Sequence, residues 1–209
     1  DNVDVRDFTG SPVLQLLVQS FSVLQFTMQN SNLSNNAMTF GTGGVVGASC
    51  QASYCTIGLK NVRFDGNSAH EAVSNGAAIN VVGLSESLVA LSVAKCSFHG
   101  NEVVGNGGAI AVDGVSAADV VNCTFSNNRA IGSRASPSST GLGGAVYVKG
   151  VQTSAFKLYV ENSSFSNNSA DVGGAIMQSL STANIVASNF TYNNAITGSG
   201  GAWYCDVNV

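Results

Sequence analysis

Residues Glu161 to Met177 read ENSSFSNNSADVGGAIM, and this stretch decides the fold. An aromatic anchor, Phe165, is followed three residues later by Asn168, then by a short polar spacer and Gly173-Gly174-Ala175-Ile176. The phrase recurs along the chain. The anchors are Leu33, Phe64, Phe98, Phe125, Phe165 and Phe190, and the third residue after each is Asn36, Asn67, Asn101, Asn128, Asn168 or Asn193. Downstream stand Gly43-Gly44-Val45, Gly76-Ala77-Ala78, Gly107-Gly108-Ala109, Gly143-Gly144-Ala145, Gly173-Gly174-Ala175 and Gly200-Gly201-Ala202. Anchor spacing runs from 25 to 40 residues, so the unit accepts insertions at one place. A period in this range signals a repeat architecture rather than a globular layered fold.

Upstream of each anchor the pattern is that of strands. Positions seven and five before the anchor are apolar, as in Leu91 and Val93 or Leu158 and Val160. Inward phase then shifts to the position two before the anchor and to the anchor itself, as in Cys96 and Phe98. Such a shift needs a bend, and the residue at it is Asn30, Asn61, Lys95, Asn122, Asn162 or Ala187. Asn is among the non-glycine residues that best tolerate left-handed backbone. A third strand follows the glycines, for example Ile110-Ala-Val112. Three short strands per unit, without helical period or hairpin signal, imply a coil that climbs on itself. The expected fold is all-β, a right-handed parallel β-helix of about six coils of three short strands, stacked ~4.8 Å apart. Residues 1–22 fit the repeat poorly and read as an incomplete leading coil or N-terminal extension; residues 23–209 hold the repeats. Neither end shows a cap, so the chain is expected to be a segment of a longer solenoid or to stack on other subunits.

Composition narrows function. Charged residues are 10% of the chain, against the usual quarter, and net charge is −4. Eight scattered Lys and Arg residues give no basic stripe for nucleic acid. The apolar-rich piece from Val13 to Met28 is broken by Gln15, Gln19 and Gln25, so no membrane span is expected in this segment. Cys50 and Cys55 lie in an insertion between the first two coils and are expected to form a local disulfide, which implies an oxidising compartment. Cys96 and Cys123 share an inward column and read as stacked buried thiols acting as small hydrophobes. Cys205 has no partner by spacing. The longest insertion, Arg129 to Leu142, is polar and Ser-rich and should project from the column.

The paired motifs FxxN and GGA[ILV] resemble the repeat of chlamydial polymorphic outer-membrane proteins, with related repeats in surface proteins of algae and protists. The match is FSNN…GGAV at Phe125–Asn128 and Gly143–Val146, FSNN…GGAI at Phe165–Asn168 and Gly173–Ile176, and FHGN…GGAI at Phe98–Asn101 and Gly107–Ile110. The first copy departs, with Leu33 and Val45, and the second has Asn75-Gly76 for Gly-Gly. The resemblance covers about Val23 to Tyr204 and implies an exported β-helical ectodomain serving adhesion or surface architecture, extracellular or on the cell surface.

The enzymatic rival is a polysaccharide lyase or glycoside hydrolase. That chemistry needs carboxylates converging on one face, often with calcium. The outward third-strand positions are Asn80, Ala111, Tyr147, Met177 and Tyr204, and Asp65, Asp113, Asp119 and Asp171 fall in different columns. His70 and His99 read as surface residues. No catalytic residue, cofactor or metal ligand set is assigned. N-glycosylation sequons stand at Asn32, Asn122, Asn162, Asn167 and Asn189; Asn122, Asn162 and Asn167 are the candidates, and Asn32 and Asn189 sit within strands. Expected partners are other subunits or further coils on the open ends, and host-cell or matrix glycans. The reading is a non-enzymatic surface scaffold or adhesin, with a carbohydrate-binding or carbohydrate-cleaving β-helix as the alternative.

Overall fold

Phe98 lies in register between Phe64 and Phe125, and that alignment propagates through the chain. The computed structural model describes residues 3–19, 22–39, 43–84, 87–114, 116–133, 140–150 and 156–206. Every paired strand is parallel to its counterpart one coil along, as in Leu91↔Ala118↔Leu158 and Val112↔Val148. The result is a β-solenoid of about six turns walled by three sheets, one of eleven strands and two of seven among the described residues. The third coil shows the unit: Leu88–Ala94, Ser97–His99, Glu102–Asn106 and Ile110–Asp113.

One detail differs from the three-strand reading. Each coil has four strand segments. The first two share one sheet, because Val23–Ser34 and Tyr54–Asp65 run unbroken through the bends at Asn30 and Asn61. The segment after the Asn turn, read as spacer, begins with a short paired strand such as Ala37–Met38 or Arg129–Ile131. Its inward residue is five beyond the anchor: Met38, Ala69, Val103, Ala130 and Ala170 are all buried. The inserted loop of the fourth coil is therefore shorter than Arg129 to Leu142. Leu142 itself bridges Asn106 and Val172, and residues 134–139 lie outside the described residues.

Backbone chemistry explains the corners. Asn30, Asn61, Lys95, Asn122, Asn162 and Ala187 all have left-handed φ, between 47° and 55°. A second left-handed column, two residues past the anchor, holds Asn35, Gly66, Gly100, Asn127, Asn167 and Tyr192. At the glycine turn Gly107 has φ 69°, and a Cβ there would collide with the Ile110 carbonyl. Register decides between the two readings of the second copy: Ile79 pairs with Ile110, so Gly76 and Ala77 occupy the Gly107-Gly108 positions, as in the alignment on the anchors, and not Asn75 and Gly76.

Ahead of the first full coil, Asp4–Arg6, Thr9–Gly10 and Leu14–Val18 add one rung to each sheet. Val5 takes the anchor position opposite Leu33. Asp7, with φ 55°, turns where Asn35 turns in the next coil.

Candidate functional site

Inside the solenoid two columns lock coil to coil. The rings of Phe64, Phe98, Phe125, Phe165 and Phe190 stack with centroids 4.6–5.0 Å apart and planes within 3°. Beside them runs the Asn column. Asn67 Nδ2 donates to Asn101 Oδ1 (3.0 Å) and to the Leu33 carbonyl (2.9 Å). Its own Oδ1 accepts from the backbone N–H and Nδ2 of Asn36. Asn101, Asn128 and Asn168 repeat this pattern, and the column ends at Asn193. Asn36, Asn67, Asn101, Asn128 and Asn168 are fully buried. All four side-chain hydrogen-bonding positions of an inner Asn are filled, which a buried amide requires.

A second polar column lies two residues before the anchor, at the bend. Ser31 Oγ donates to the Gln29 carbonyl and Ser163 Oγ to the Glu161 carbonyl. Cys96 and Cys123 do the same with thiols, toward Ala94 and Val121 at 3.3 Å. Each also accepts a backbone N–H from the preceding coil: Val62 to Cys96, Cys96 to Cys123, Cys123 to Ser163. The two buried cysteines are thus hydrogen-bonding substitutes for serine rather than only small hydrophobes. The contact with Cys96, and then burial, push the Cys123 thiol up, which holds it neutral.

The third-strand residues read as outward do lie outside the main core, yet none of the five is exposed, and Tyr204 is half-buried. Asn80, Ala111, Tyr147 and Met177 are buried, and Ala111, Tyr147 and Met177 form a satellite cluster with Leu142 and Tyr204 packed on it. The glycine turns carry the preceding segment close over this side: a Cβ on Gly143 would lie 3.1 Å from the Met177 backbone nitrogen. Burial, and then the Asp113 charge, push the Tyr147 phenol up to about 12.

Among the described residues the carboxylates do not converge. Asp65 faces His99 in the column after the anchor and pairs with Arg63 (2.6 Å). Asp113 meets Lys149, and Asp119 lies on the first sheet. Asp171 is used structurally: its Oδ2 accepts from the backbone N–H of Gly132 (3.1 Å) and Gly141 (2.7 Å), pinching the neck of the fourth-coil loop. His70 and His99 each meet a neighbouring coil, at Glu102 (3.0 Å) and Ser126 (2.9 Å). Both pairs are exposed, where such contacts contribute little.

Cys50 and Cys55 are bridged, with Cα atoms 6.5 Å apart, at the corner between the third sheet and the next coil. Around that corner Val23, Tyr54 and Leu88 form an exposed apolar column, with Leu84 nearby in sequence. Asn122, Asn162 and Asn167 are exposed, each at a left-handed corner.

Residues 122–149 and 162–178 match the Chlamydia polymorphic membrane protein (Chlamydia_PMP) repeat. Both matches start at a left-handed bend Asn and end in the third sheet, so the matched unit is bend, anchor, Asn turn, glycine turn and third strand. No curated protein and no solved structure matches the chain.

Proposed function

From a chain that carries the chlamydial polymorphic membrane protein repeat wound as a β-solenoid, we propose a rigid scaffold of a cell-surface assembly, non-enzymatic and serving structure or adhesion. One observation carries the proposal: the Asn column runs unbroken from Asn36 to Asn193 with every inner amide satisfied. Such a column resists bending and shear, because moving one coil breaks several buried bonds together. The separated carboxylates favour support over hydrolysis. The disulfide between Cys50 and Cys55 fits an oxidising, extracellular setting. Further coils or other subunits then stack on the end rungs, where Phe8, Tyr192 and Trp203 are exposed. N-glycans at Asn122, Asn162 or Asn167 would sit clear of the sheets.

Immunogold labelling of intact, unpermeabilised source cells tests the location, and labelling confined to the interior would defeat the proposal. A polysaccharide depolymerisation assay with and without calcium tests the absence of catalysis, and saturable turnover would defeat it. Peptide mapping with and without glycosidase decides the three acceptors. The mass of the native particle decides stacking: a lone stable 21.2 kDa species would exclude it.

A further inference from the structure

The outer face of the first sheet carries side chains that neither the columns nor the loop use. In the last three coils this face forms an open groove of about 450 Å³ lined by Ala117, Asp119, Lys157, Tyr159, Thr182 and Asn184. Asp119, Tyr159 and Asn184 are in register, so a carboxylate, a phenol ring and an amide stand on successive rungs. Lys157 and Thr182 run alongside, two residues earlier in the same strands. A smaller groove of about 270 Å³ lies on the same face over Gly58, Lys60, Ser92 and Ala94. The face therefore offers a track along the solenoid axis.

We propose that this groove binds a neutral oligosaccharide lying along the axis, with Tyr159 as its platform. Three observations select that ligand class. The strands under Asp119 and Tyr159 are paired coil to coil on both sides, and among the described residues only the last, Ser181–Val186, keeps an open edge, so an extended peptide laid across the face finds no edge to join there. Recognition must run through side chains, and those present are a ring, a carboxylate, an amide, a hydroxyl and an ammonium, a set matched to a polyhydroxylated ligand with apolar ring faces. Charge excludes the polyanionic glycans: Asp119 offsets Lys157, and Glu161 follows on the Tyr159 strand. The scaffold role does not depend on this site, and each stands or falls by its own measurement.

The test is titration calorimetry of the full chain with cellohexaose, xylohexaose, mannohexaose and chitohexaose, with a heparin hexasaccharide and a Gly-Ser peptide as comparators. At least one neutral hexasaccharide should bind, and Tyr159→Ala should weaken it by roughly tenfold or more. Tyr54→Ala, which removes an exposed ring at the disulfide corner, should leave binding unchanged. Thermal melts of Tyr159→Ala and Tyr54→Ala should match the parent, since both rings lie outside the core. Binding of none of the neutral probes, binding of heparin or the peptide instead, or equal loss in both variants would overturn the proposal.

Discussion

Asn128 Nδ2 lies 3.0 Å from Asn168 Oδ1, although the two residues are 40 apart in sequence. The same nitrogen donates to the Phe98 carbonyl of the coil before (3.0 Å), so one amide ties three coils together. The adjacent Asn127 is exposed: it turns a corner at φ 56°, and its side chain makes one exposed contact, Nδ2 with His99 Nδ1 at 3.4 Å.

Neighbouring asparagines should therefore differ sharply on substitution. Asn128→Leu removes the Nδ2 donor to the Phe98 carbonyl and to Asn168 Oδ1, which keeps only the backbone N–H of residue 128. It also takes the acceptor from the Asn101 backbone N–H and from one Asn101 Nδ2–H, at ~1–3 kcal/mol for each buried group left unsatisfied. Asn127→Leu should cost only ~1–2 kcal/mol, for a left-handed Leu. Thermal melts giving equal losses would contradict this placement.

Phe125 has a ring partner on each side, Phe98 at 4.7 Å and Phe165 at 4.6 Å. Phe125→Ala should destabilise by ~3–5 kcal/mol. Phe190→Ala should cost less, because Phe190 stacks on Phe165 alone among the described residues and is only partly buried. Urea denaturation of the two variants checks the order.

Alkaline pH should loosen the satellite cluster. The Tyr147 phenol titrates near 10.0 when unfolded and near 12 when folded. Its stabilising effect is complete below pH 10 and is lost as pH rises toward 12. One pKa unit corresponds to ~1.4 kcal/mol, so the loss is of order 2–3 kcal/mol. Tyr147→Phe should flatten that part of the stability-against-pH curve.

The thiols should separate by chemistry. Under native conditions a thiol reagent should modify Cys205, which is exposed, and spare Cys96 and Cys123. Cys96→Ser should be nearly neutral in thermal melts, because a hydroxyl makes the same bend contacts at Ser163. Cys96→Leu should be destabilising by about 1–3 kcal/mol, through overpacking. Equal effects of the two substitutions would remove the hydrogen-bonding role.

At the loop neck, Asp171→Ala should accelerate hydrogen exchange at Gly132 and Gly141, whose amides it holds, and leave the Asn128 amide protected. Unchanged exchange at both glycines would show that the carboxylate does not hold the neck.

Much of this architecture could be read from spacing alone, because parallel stacking places equivalent residues above one another. Phe165 to Asn168 to Gly173 is a local phrase, and its repetition is enough to define the anchor, the Asn column and the bend Asn. The inward column at Ala69, Ala130 and Ala170 escaped that reading, since an isolated alanine in a polar stretch carries little hydrophobic signal. So did the second left-handed corner, where Asn35, Gly66 and Tyr192 share a conformation but not a chemistry. Alternation in the third strand puts Tyr147 and Met177 on the far side of the sheet, and there local pattern stops. Whether that side meets water depends on where the glycine turn carries the preceding segment, and folding lays Leu142 against it. Periodicity assigns a side chain to one face of a strand; what covers that face is set by contacts between segments distant in sequence, which no local pattern encodes.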